Sequence, residues 1–104
     1  MKFGNERRKM HTAFSIAENY VLKDEFRRVC QAVLMAQDIR EDSWNEQGNC
    51  YRKTISEASL MAAKHLDLDV FWANVIRDWN NYDWNETQEL AQEWLKRDEE
   101  CTDE

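Results

Sequence analysis

Few side chains in this 104-residue chain have spacings that could do chemistry. The histidines are His11 and His65, and the cysteines are Cys30, Cys50 and Cys101. No Cys-x-x-Cys, Glu-x-x-His or His-Glu-x-x-His run sets any of them at metal-ligand spacing. Cys30 falls on an apolar helical stripe, where a small buried thiol is the default. His65 stands near a helix end, where imidazole favours the negative pole. Asp78, Asn80 and Glu89 match three ligand positions of a calcium loop, but Asp83 replaces the glycine that lets such a loop turn. The expectation is no enzyme, no catalytic residues, no metal and no cofactor.

The acidic residues carry more information. Net charge is −7, and it is unevenly spread. Residues 1–64 hold 11 Lys/Arg against 9 Asp/Glu, whereas residues 65–104 hold 3 against 12. Glu86, Glu89 and Glu93 recur at helical spacing, away from Leu90, Trp94 and Leu95. Asp78 and Asp83 come just before them. The plain reading is a solvated helix face. The sharper reading is a docking surface for a protein with a basic groove. Full mimicry of duplex DNA is a poor fit. Residues 86–104 as one helix would span about 28 Å, over which duplex DNA carries about 17 charges. The segment offers 8 acids and 2 bases.

Five tryptophans are many for this length. Trp72, Trp79 and Trp94 sit in apolar stripes and read as core. Trp44 and Trp84 sit in polar turns, where each could staple a helix start or project as an interface anchor.

The elements that must hold these groups read as helices. Proline is absent, and the glycines are Gly4 and Gly48. An all-β domain needs turn residues that this chain lacks. One helix is expected over about 13–22, capped by Thr12, with Met10, Phe14, Ala17 and Val21 on one face. A second is expected over 25–40, capped by Asp24, with the stripe Leu22, Phe26, Val29, Val33 and Ala36. A single kinked helix over 12–40 is the alternative. A loop should follow over 41–49, with a capping-box pattern at Ser43 and Glu46. A third helix is expected over about 51–66, or from the Thr54–Glu57 capping box. Asp67-Leu68-Asp69 breaks the third helix and can cap a fourth over 70–80, which is apolar around more than half its circumference, so it belongs at the centre of a bundle. The fifth, 86–97, follows the Asp83–Glu86 box. Residues 1–10 should form a basic, partly ordered N-terminus, 11–97 a single helical domain, and 98–104 an acidic, frayed tail.

Residues 54–80 also carry helix-turn-helix spacing, with Ala63, Leu66, Asp67, Leu68, Ala73 and Ile76 at the packing positions. DNA reading by this pair is disfavoured. Its second helix offers one base, Arg77, against Asp69 and Asp78, and phosphate neutralisation is absent.

The expected fold is thus all-α: a compact bundle of four to five short helices. The expected function is a non-enzymatic acidic binding protein, an inhibitor or adaptor of phage or mobile-element type. It would dock on a basic groove of a nucleic-acid-handling protein through Asp78, Asp83, Trp84, Glu86, Glu89 and Glu93. The alternative is a helix-turn-helix transcriptional regulator that binds nucleic acid as a dimer. A homodimer is compatible with the first reading too. No apolar run is long enough to cross a bilayer and no secretory leader is visible, so a cytoplasmic protein that does not engage membranes is expected.

Overall fold

The structure, a computed structural model, describes the backbone of residues 2–46 and 53–101 and the side chains of 9–41 and 53–100. Five helices and no strand occur among the described residues: α1 (Lys2–Tyr20), α2 (Lys23–Glu46), α3 (Ile55–His65), α4 (Val70–Tyr82) and α5 (Trp84–Cys101). Cys50 and Gly48 lie outside the described residues, as do the side chains of Trp44 and of the Ser43–Glu46 box, while the backbone of Trp44 is helical within α2 and not in a turn.

Both α2 and α4 pack against each of the other four helices, α2 most extensively against α3 and α5, and α4 against α3. The α2 stripe Phe26, Val29, Val33 and Ala36 is buried as the periodicity predicts, and Cys30 is buried with it. Each large apolar side chain so buried contributes about 1.5–3 kcal/mol. Leu22 does not join the stripe. It sits exposed in the joint between α1 and α2, where its carbonyl accepts the Phe26 N–H at 2.9 Å. The break therefore falls at Val21–Leu22, just before the expected Lys23–Asp24. Asp24 is not the cap. It lies in the first turn of α2, where a carboxylate favours the helix dipole, and it pairs with Arg27 and Arg28.

Three helix bounds run past the sequence expectation. α1 starts at Lys2 instead of following Thr12, so residues 2–10 are helical. The run Glu6 to Met10 consists of good helix formers, and Met10 is fully buried. α2 continues through residues 41–46, where a loop was expected. α5 continues through Asp98 to Cys101, so the acidic tail begins as ordered helix.

The caps behave as their chemistry requires. Thr54 and Glu57 form a full reciprocal capping box at the start of α3. Asp69 caps α4 by accepting the Trp72 N–H at 3.3 Å. Between them Asp67 takes φ 61°, the left-handed conformation. Arg28 locks this turn by donating to the carbonyls of Leu66 and Asp67 at 3.1 and 3.0 Å. The helix-turn-helix spacing thus works as packing: Ala63, Leu68, Ala73 and Ile76 are buried.

An aromatic chain runs through the core. Trp94, Phe26, Phe14, Trp79, Trp72 and Phe71 follow one another with ring centroids 5.1–6.5 Å apart, mostly edge to face. The first five rings are buried, whereas Phe71 is exposed. No described helix is long and apolar enough to cross a membrane.

Candidate functional site

The six residues singled out from the sequence do not form one free acidic surface. Asp83 ends α4 and starts α5, with its side chain accepting the Glu86 N–H at 3.0 Å. Trp84 is half-buried beneath Arg40, whose guanidinium carbon lies 5.4 Å from the ring centroid. Trp84 is therefore a packing residue between α2 and α5. Glu86 accepts from His11 Nε2 at 2.7 Å and ties α5 to α1. Asp78 receives both Nε and Nη2 of Arg77 at 3.1 Å. Only Glu89 and Glu93 stand exposed with no hydrogen bond or ion pair among the described residues. Glu86, Glu89 and Glu93 do share one face of α5, as their spacing requires.

Asp98 is the most engaged carboxylate of the segment, though it was expected in a frayed tail. It is buried, and it accepts Arg27 Nε at 2.6 Å and lies 3.4 Å from Lys23 Nζ. The Arg27 hydrogen bond holds its pKa below the ordinary carboxylate value, and Lys23 adds to the effect. Two further acids hold indole N–H groups: Glu25 takes Trp72 at 2.8 Å and Glu18 takes Trp94 at 3.0 Å. Much of the chain's acidity is thus spent on internal partners.

The nucleophile candidates fare no better. Burial pushes the Cys30 thiol far above its ordinary pKa, the reverse of an activated cysteine. Asp78 and Asn80 both lie within α4, with Asn80 buried, so no calcium loop exists there. No cluster of three metal-ligating side chains occurs among the described residues.

What the structure does present is an apolar groove of about 460 Å³ between α1 and α4. Its floor is Trp72 and Trp79, the outer end of the aromatic core. Its walls are Ile16 and Tyr20 from α1 and Phe71 and Tyr82 from α4, which are 50, 84, 61 and 43 % exposed. At about 200 Å² per ring residue, Tyr20, Phe71 and Tyr82 alone leave roughly 380 Å² in water. That is within the roughly 300–600 Å² of the largest apolar patch on a typical monomer, a patch that is often functional. The groove exists because α1 is thinly seated. It touches α2 and α4 over few residues and is tied to α5 by His11–Glu86 and Glu18–Trp94.

Sequence reading did not identify this groove. Its signal was the apolar circumference of α4, taken as central burial. In fact α4 buries Trp72, Ala73, Ile76 and Trp79 and leaves Val70 and Phe71 in water. Of the six expected site residues only Asp78 lines the groove, and it is the one charged group there among the described residues.

Comparison with protein-family models, with curated proteins and with solved structures finds no match to this chain.

Proposed function

We propose that this is a non-enzymatic acidic binding protein, an inhibitor or adaptor that engages a partner with a basic surface. The observation that supports it is the exposed aromatic groove between α1 and α4 on a chain of net charge −7. Aromatic side chains in a concave apolar setting are the residues that dominate binding energy at protein interfaces. The negative charge steers cationic partners and sets the rate of encounter. Glu89 and Glu93 supply free carboxylates to that field. The anchor shifts from Trp84, packed under Arg40, to Phe71 and Tyr20. A nucleic-acid-handling protein is a natural class of partner, because such proteins carry basic grooves.

Regulation through the α3–α4 pair is the weaker reading. The base on α4, Arg77, is drawn onto Asp78 and Asn74. A salt-dependent gel shift on mixed DNA should show no binding at moderate salt.

The test is photo-cross-linking in the cells that make the protein. A photoreactive phenylalanine analogue replaces Phe71 in one version and Glu93 in another. The expected result is one basic polypeptide attached at position 71. No adduct from either position would overturn the binding reading.

A further inference from the structure

Resting on that binding reading, we infer that the α1/α4 groove receives a single cationic amphipathic helix of the partner. The apolar face of that helix lies on Ile16, Tyr20, Phe71 and Tyr82, and a lysine or arginine meets Asp78.

Shape comes first. The α4 wall from Phe71 to Tyr82 runs about 17 Å, which is about three helical turns. A volume of about 460 Å³ between two helices leaves room for several large side chains, not for a flat contact. Helix-in-groove recognition uses anchors at i, i+3, i+4 and i+7, and a trough of this length takes one such set.

Charge fixes the occupant. Among the described residues, Asp78 is the sole charged one in the lining. Both Arg77 hydrogen bonds end on Oδ1 and the carboxylate is half exposed, which leaves Oδ2 able to accept from a cation on the guest. A cation on the guest would complete it, and the overall charge of −7 favours the same sign of guest. A second copy of this chain fits badly. Two-fold pairing would set one concave face on another, bring Asp78 towards its own image, and join two chains of −7 each. Nucleic acid fits worse, since no cation lines the groove among the described residues.

The probe is a synthetic peptide of about 15 residues with leucines at helical spacing and lysines elsewhere. Two controls accompany it: a scrambled peptide of equal composition, and a version with glutamate for lysine. Titration into the full chain is followed by isothermal calorimetry. The periodic Leu/Lys peptide should bind, and neither control should. Phe71→Glu and Tyr20→Glu should each weaken binding by about tenfold or more. Asp78→Asn should weaken it by about threefold, with the effect shrinking in high salt. These side chains are exposed, so the far-UV helical signal should persist, and Phe71→Ala serves as a milder second variant.

Equal binding of the scrambled peptide, or unchanged affinity in Phe71→Glu and Phe71→Ala, would overturn the inference. So would a wild-type dimer in sedimentation that Phe71→Glu splits, which would assign the groove to a second copy. A peptide that fails to bind while the position-71 cross-link succeeds removes the helix guest and leaves the binding reading standing. Loss of all cross-links removes the binding reading itself.

Discussion

Arg27 on α2 and Asp98 on α5, 71 residues apart in sequence, are joined by a 2.6 Å hydrogen bond from Nε to Oδ2. Lys23 and Asp24 extend the pair into a small network at the end of α5. The pairing raises the Arg27 pKa and lowers that of Asp98, in each case chiefly through their shared hydrogen bond. The residues that read as a loose acidic tail thus begin with a clamp between two core helices.

This clamp predicts a particular acid response. The Asp98 pKa lies lower in the folded chain than in the unfolded one, so its stabilisation is complete above the ordinary Asp range. It is lost as pH falls through that range towards the folded value. Urea midpoints measured from about pH 6 down to pH 2 should therefore drop for the wild type. Asp98→Asn should be less stable at neutral pH and lose less on acidification. Parallel curves for the two proteins would show that Asp98 contributes nothing to acid sensitivity.

Asp67 offers a test of the α3–α4 turn. Its φ of 61° is unfavourable for a residue with a Cβ, and glycine removes that cost. Arg28 holds backbone carbonyls here, so Asp67→Gly keeps both of its hydrogen bonds. The left-handed cost of about 1–2 kcal/mol, less glycine's entropic cost of about 0.5–1 kcal/mol, leaves an expected gain of about 0.5–1 kcal/mol in urea unfolding. A loss instead would mean that the aspartate side chain itself supports the turn.

Cys30 should be chemically silent in the folded state. It is fully buried on α2 and its thiol is shifted far from ionisation. A thiol reagent at pH 8 should label Cys30 only at the rate at which the chain opens, and denaturant should release it. Rapid labelling of Cys30 in native protein, read by peptide mass mapping, would contradict the packing around α2.

The core was largely legible from periodicity. Phe26, Val29 and Val33 sit at helical spacing and are buried, and Trp72, Trp79 and Trp94 follow the same rule. The capping residues Thr54 and Asp69 were legible for an equally local reason, since a side chain two or three residues from an open N–H announces itself. The groove was not legible. Phe71 and Trp72 are neighbours of similar character on one helix, and only the way α4 packs on the other helices decides that one is covered and the other is not. Asp98 was hidden in the same way. Nothing in the run Asp98-Glu99-Glu100 distinguishes the first acid from the others, because its partner lies on α2. The reach of α2 to Glu46 was missed because the polar run from Glu41, its Ser43–Glu46 capping pattern and Gly48 read as a loop, although no proline or glycine interrupts the helix before Gly48.

The division of labour between groove and charge is most directly tested on the partner captured at position 71. Its affinity for the wild type should be compared by surface plasmon resonance with Phe71→Glu and with the double variant Glu89→Lys/Glu93→Lys. Phe71→Glu should cost at least about tenfold in affinity, mostly through faster dissociation. The double reversal should mainly slow association, and less so as salt rises. Unchanged affinity in Phe71→Glu, with binding abolished by the two charge reversals, would contradict the groove and return recognition to the acidic face of α5.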